Sequence, residues 1–126
     1  MKWSAAARKI KAIILDIDGV MTDGLIGYGP TGNVKFFHAR DGHAIKMALR
    51  EGLLVGALSG RDDPANRRRA AELGLSFCYT GEHDKLAAFR RLLAEHRLRP
   101  EQCLYVGDDV VDLPVFRHVG VAVAVR

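Results

Sequence analysis

The sequence predicts one α/β domain built on a central parallel β-sheet. Three observations carry that prediction. Short aliphatic, β-rich runs alternate with helix-patterned runs along the chain. The length of 126 residues is enough for one domain and too short for two. Three of the β-rich runs end in polar clusters: Asp16/Asp18, Ser59-Gly60-Arg61 and Gly107-Asp108-Asp109. In open α/β sheets, ligands bind in the crevice outside the carboxyl ends of the strands. The domain is expected to span 1–126, with a β-hairpin inserted at 24–38.

Lys11 to Ile17 is aliphatic and reads as the first, buried strand. Leu25 to Tyr28 and Asn33 to His38 flank the turn-rich Gly29-Pro30-Thr31-Gly32, which predicts the hairpin. Asp41 to Glu51 reads as a helix capped by Asp41 and ended by Gly52. Leu53 to Leu58 is the second parallel strand. Asp62 or Asp63 caps the next helix, which has Pro64 in its first turn and Gly74 at its end. Leu75 to Tyr79 is a short strand. Asp84 to Arg97 is an amphipathic helix with Leu86, Phe89, Leu92 and Leu93 on one face. Gln102 to Val106 is a strand, Asp112 to Val119 a short helix and Val121 to Val125 the last strand.

Hydrophobic residues make up 48% and charged residues 27%, the balance of a globular chain rather than a disordered one. No apolar run approaches the roughly 20 residues that cross a bilayer. Met1 to Lys11 is basic, but the apolar run after it, Ala12 to Leu15, has only four residues, so no signal peptide is expected. Cys78 and Cys103 lack metal-site spacing and lie in apolar runs. They are expected as buried free thiols, as in a reducing cytoplasm. The net charge is +4, and its densest run, Arg67-Arg68-Arg69, reads as a solvated helix face without interleaved aromatics. No nucleic acid or membrane partner is expected. His38, His43, His83, His96 and His118 form no ligand-like pair.

Asp16 and Asp18 end an aliphatic strand two residues apart, on one face, where their charges repel. A cation beside them removes the repulsion; a solvated strand end turning at Gly19 is the plainer alternative. A hard cation such as Mg²⁺ takes oxygen ligands and keeps several waters. Asp16 and Asp108 can each offer one oxygen to it. Asp109 and Asp112 suit either support of metal-bound waters or capping of the helix that follows, and both readings stand. The Ser59 hydroxyl and the amide of Gly60 suit a phosphoryl oxygen, with a plain turn as the alternative. Lys85 opens a helix, where a cation opposes the macrodipole. That placement suggests a fixed anion opposite it; simple solvation is the alternative.

The order Asp-x-Asp-Gly-Val, Ser-Gly after a strand, Lys, then Gly-Asp-Asp-x-x-Asp resembles the haloacid dehalogenase superfamily of phosphotransferases. The four motifs stand at Asp16 to Gly19, Ser59-Gly60, Lys85 and Gly107 to Asp112. Asp18-Gly19-Val20-Met21-Thr22-Asp23-Gly24, Ala39-Arg40-Asp41-Gly42, Leu58-Ser59-Gly60-Arg61 and Gly107-Asp108-Asp109-Val110-Val111-Asp112-Leu113-Pro114-Val115 are similar to its capless sugar-acid phosphatase branch. That branch is the 3-deoxy-D-manno-octulosonate 8-phosphate phosphatase family. The resemblance runs from about Lys11 to Val125.

It implies a three-layer Rossmann-like fold without a cap domain; the stretch from Gly24 to Asp41 holds only a hairpin. It implies an Mg²⁺-dependent phosphatase acting on a sugar-acid phosphate. Asp16 would be the nucleophile, and Asp18 the acid that then serves as base. The metal would sit on Asp16, Asp108 and the carbonyl of Asp18. Ser59, Gly60 and Lys85 would bind phosphoryl oxygens, with Asp109 and Asp112 in support. Arg61, and also Arg40, are candidates to pair with the substrate carboxylate; an internal ion pair is the alternative for Arg40. A homotetramer assembled through hairpin residues Leu25, Ile26, Tyr28, Val34 and Phe36 is also implied, neighbours completing each site.

Two features depart from the branch. Ser59 stands where threonine is common, keeping the hydroxyl. Family members continue past the strand matching Val121 to Val125 into a tail that reaches a neighbouring active site, whereas this sequence ends at Arg126.

Rival readings fare worse. A phosphate-receiver domain needs its phospho-acceptor aspartate after a middle strand, where this chain has Ser59. A non-catalytic oligomerisation copy of the phosphatase domain has no need of the intact set Asp16, Asp18, Ser59, Lys85 and Asp108. A nine-carbon keto-deoxy sugar acid 9-phosphate is the alternative substrate.

Overall fold

A computed structural model describes residues 4–125; the first three residues of the basic N-terminus and Arg126 lie outside it. The first element is a short helix, α1 (Ala5–Arg8), absent from the sequence-based layout. Its alanines favour the helix, and Ser4 caps it by accepting from the Ala7 amide.

Five strands form a parallel sheet: β1 (Ala12–Leu15), β4 (Leu54–Leu58), β5 (Phe77–Tyr79), β6 (Cys103–Gly107) and β7 (Val121–Ala124). The spatial order is β5-β4-β1-β6-β7. The chain therefore winds outward from β1 first to one side and then to the other. Helices α2 (Ala39–Arg50) and α3 (Pro64–Leu73) and then α4 (Lys85–His96) and α5 (Leu113–Phe116) connect the strands. The two remaining strands, β2 (Gly27–Gly29) and β3 (Gly32–Val34), pair antiparallel around Pro30-Thr31.

The alternation of side chains along the strands divides the core between the two sheet faces. Ile14, Leu58, Cys103 and Tyr105 meet Phe89 and Leu92 of α4 and Val115 of α5. Ile17, Val55 and Ala57 meet Ile45 of α2 and Leu73 of α3. Phe89 and Leu92 are fully buried, each contributing about 1.5–3 kcal/mol. This is the three-layer Rossmann-like arrangement.

Several boundaries differ from the expected ones. The strand expected over Asn33 to His38 stops at Val34, because Val34 pairs with Gly27, where β2 begins, and among the described residues no partner strand extends beyond it. Helix α2 starts at Ala39 rather than Asp41. Its cap is His38, whose Nδ1 accepts from the Arg40 amide, leaving Asp41 in the first turn. Of the two caps proposed for α3, Asp63 serves, accepting from the Ala65 amide. The helix expected over Asp112 to Val119 is a 3₁₀ turn, Val110–Asp112, followed by α5. Cys103 is buried and Cys78 only half-buried, and both are free. Among the described residues no helix is long and apolar enough to cross a membrane.

Candidate active site

The strand order places the site. β4 and β6 flank β1 in parallel, with Leu15 opposite both Ala57 and Val106. The three strands thus end level, and Asp16, Ser59 and Asp108 emerge on one rim at the point where the strand order reverses. After Asp16 the chain turns tightly: the Val20 and Met21 amides both return to the Ile17 carbonyl, at 3.1 and 2.8 Å. Thr22 Oγ1 accepts from the Gly19 and Gly24 amides at 3.4 and 3.1 Å. Gly19 has φ +85°, and a Cβ there would overlap the Asp108 carboxylate. The glycine of the Asp-x-Asp-Gly motif therefore lets Asp108 lie directly on the turn.

These ends surround a cleft of about 300 Å³ lined in part by Asp16, Asp18, Ser59, Arg61, Lys85 and Asp108. Asp16, Lys85 and Asp112 are buried. Lys85 Nζ stands 3.2 Å from Asp16 Oδ1 and 2.8 Å from Asp112 Oδ1. The fixed anion expected opposite this lysine is thus a pair of carboxylates. Asp16 Oδ1 also accepts from the Ile17 amide at 2.8 Å, while Oδ2 takes no hydrogen bond among the described residues. Burial pushes the Asp16 carboxyl up to about 6; the Lys85 charge works against the shift and the Asp112 charge with it.

Asp112 is occupied on both oxygens. Oδ1 accepts from Lys85 and from the Tyr105 hydroxyl at 2.6 Å; Oδ2 accepts from the Asp108 and Asp109 amides at 3.1 and 3.2 Å. Burial raises its pKa, but the hydrogen bonds from Lys85 and Tyr105 hold the net value below the ordinary carboxylate range. Asp109 Oδ1 caps the 3₁₀ turn through the Val110 amide. Both aspartates therefore make the capping contacts left open above.

Oxygens of Asp16, Asp108 and Asp112 come within 4.8 Å of one another. Such a hard-oxygen set fits a small divalent cation. With Asp112 saturated by four donors, Asp16 and Asp108 are the carboxylates free to hold it.

Ser59 is buried; its backbone is held by Tyr79 and Glu82, and its Oγ accepts from the Arg61 amide at 3.2 Å. The hydroxyl proton remains for another acceptor. Asp18 lies between two cations, with Oδ1 2.8 Å from Lys35 Nζ and Oδ2 3.6 Å from Arg61 Nε. Arg40 is exposed on α2 and does not line the cleft. Lys35 and Tyr105 were not singled out from the sequence. The one signal for Lys35 was a lysine inside the apolar run Val34-Lys35-Phe36-Phe37.

Residues 38–120 match the haloacid dehalogenase-like hydrolase family. The chain belongs to that family. Within the haloacid dehalogenase-like hydrolases it is similar to 3-deoxy-D-manno-octulosonate 8-phosphate phosphatase KdsC of Escherichia coli strain K12, at 43% identity over 122 residues. That alignment covers 96% of this chain and 65% of the relative, so the chain spans about two thirds of the length of the curated relatives it matches. The crystal structure of the Yersinia pestis phosphatase superposes with a TM-score of 0.90 at 42% identity, covering 94% of this chain and 65% of that one. The Moraxella catarrhalis phosphatase, solved with magnesium, phosphate and a KDO molecule, gives a TM-score of 0.87 at 34% identity. There, 91% of this chain and 67% of the other are covered.

Proposed function

We propose that this protein is an Mg²⁺-dependent phosphatase that hydrolyses a sugar-acid phosphate, 3-deoxy-D-manno-octulosonate 8-phosphate, through an aspartyl-phosphate. The observation that carries the reading is Asp16: a buried carboxylate at the strand-order reversal, with Oδ1 held by Lys85 and Ile17 and Oδ2 free. A carboxylate oriented by one oxygen and open at the other is prepared for nucleophilic attack.

In the proposed reaction Asp16 Oδ2 bonds to phosphorus as the bond to the sugar oxygen breaks. Asp18 gives that oxygen a proton, then takes one from the water that cleaves the acyl phosphate and regenerates Asp16. The Ser59 hydroxyl, the Gly60 amide and Lys85 bind the phosphoryl oxygens. Asp109 and Asp112 hold the loop that carries Asp108. Mg²⁺ on Asp16, Asp108 and the Asp18 carbonyl would reduce the repulsion between carboxylate and phosphate. Arg61, exposed at the cleft edge beside Asp18, is suited to a sugar-acid carboxylate.

Phosphate release measured with Mg²⁺ on the eight-carbon substrate, a nine-carbon 9-phosphate and simple sugar phosphates tests this. Turnover should be fastest on the eight-carbon acid and vanish in excess EDTA. Equal rates across the panel would remove the sugar-acid assignment, and full activity in EDTA would remove the metal.

We also propose a homotetramer assembled through the hairpins. The support is a row of large apolar side chains on and beside the hairpin: Leu25, Tyr28 and Phe36 are 73%, 88% and 81% exposed. An isolated hairpin with such a surface favours a partner. Sedimentation equilibrium should give four copies for the wild type and smaller species for Tyr28→Asp/Phe36→Asp. A monomeric wild type would end this proposal.

A further inference from the structure

We infer that Lys35 is a positioning residue for Asp18, fixing which oxygen of that carboxylate moves the proton. The inference rests on the phosphatase reading above. Lys35 projects from the end of β3, and its side chain is fully buried. Its ammonium stands 2.8 Å from Asp18 Oδ1, 3.0 Å from Asn66 Oδ1 and 3.6 Å from Asp63 Oδ2. Both α3 partners are themselves fixed. Asn66 is buried and donates to the Arg61 carbonyl at 3.4 Å. Asp63 is buried and accepts from the Asn33 amide group and the Ala65 amide, each at 3.0 Å.

A fully buried ammonium costs several kcal/mol unless its charge is used. Tying the hairpin to α3 does not require it, because Asn33 already bonds Asp63. Besides Asp63, the charge meets Asp18, whose Oδ1 is buried and has no hydrogen-bond partner among the described residues. The Lys35 contact has ion-pair distance without hydrogen-bond direction, so it acts on Oδ1 as a charge. An oxygen facing an ammonium is the wrong one to protonate. Oδ2, near exposed Arg61 and the cleft, is left to carry the proton to the leaving oxygen and to take one back from water. Lys35 does not line the cleft, so it works through Asp18 rather than on the substrate.

The test is a double-mutant cycle on the full chain with Mg²⁺, using Lys35→Met, Lys35→Gln and Lys35→Arg in wild-type and Asp18→Asn backgrounds. Substrates are a primary alkyl phosphate, whose leaving oxygen needs the proton, and p-nitrophenyl phosphate, whose leaving group needs it little. Lys35→Met should lower kcat on the alkyl phosphate about 100-fold with KM little changed. It should preserve the rapid first release of p-nitrophenolate, and Lys35→Arg should recover part of the loss. In the Asp18→Asn background Lys35→Met should cost less than about twofold. Losses that multiply across backgrounds, or that fall equally on both substrates, overturn the inference. If thermal melts show Lys35→Met unfolded, Lys35→Gln, which keeps polarity without charge, decides the cycle. A wild type no faster than Asp16→Asn would sink the phosphatase reading and this inference together. An active wild type matched by Lys35→Met and Lys35→Gln would sink this inference alone.

Discussion

Asp16→Asn is expected to stop phosphate release while making the metal-free protein more stable. The loss of activity should be on the order of 10⁴-fold or more, as for other nucleophile deletions. The gain in stability follows from burial. In the folded protein the Asp16 carboxyl is pushed from 3.8 to about 6, so the charged form that still predominates at neutral pH is held at a cost to the fold. Because the folded value is raised, Asp16 favours the fold most below pH 3.8, and that contribution is lost as pH rises through about 6. The loss is on the order of 2–3 kcal/mol. Asparagine keeps the shape without the charge, and the melting temperature at neutral pH should rise by roughly 5–10 °C. Asp63 and Asp112 run the other way. Their lowered values support the fold above the ordinary carboxylate range and fail as acid protonates them. The metal-free wild type should therefore be most stable near pH 4 and lose stability as pH rises to about 6, and Asp16→Asn should flatten that decline. Thermal melts across pH in chelator check both statements. A variant less stable than wild type at neutral pH would show that the buried carboxylate is not under strain.

Lys85→Met is expected to destabilise the fold by about 3–5 kcal/mol in addition to abolishing activity. Lys85 is the one cation in contact with both Asp16 and Asp112 among the described residues. Its removal leaves two buried carboxylates facing each other without compensation. Two reliefs distinguish this cause from a packing defect. Acid should narrow the gap to wild type by protonating the carboxylates. Adding Asp112→Asn should restore part of the stability, since one repelling charge is gone. Urea melts at pH 5 and pH 7 measure both effects. A loss independent of pH and unmoved by Asp112→Asn would assign the cost to packing.

The acidic residues of the site were legible because they sit next to local signals. Asp16, Ser59 and Asp108 each follow a β-rich run, and parallel strands carry whatever follows them to one rim. Lys85 was legible only as an oddity, a cation at a helix start. The errors at element ends have local physical causes too. Asp41 precedes a glycine and reads as a cap, but the free imidazole nitrogen of His38 caps the helix three residues earlier. Lys35 and Tyr105 were not legible, since their partners lie far along the chain or become partners only once a turn folds back.

By itself the sequence determined the fold class, the family resemblance and the identity of the residues on the rim of the cleft. Periodicity and turn chemistry are written in neighbouring residues, and the motifs are short. Tertiary structure alone decided how the charges pair. It set Lys85 between Asp16 and Asp112, saturated Asp112 with four donors, and brought Lys35 from the hairpin onto Asp18. Those pairings depend on strand order, on register and on where a helix end meets a loop. A buried charge takes its partner from whatever the packing brings within a few ångströms.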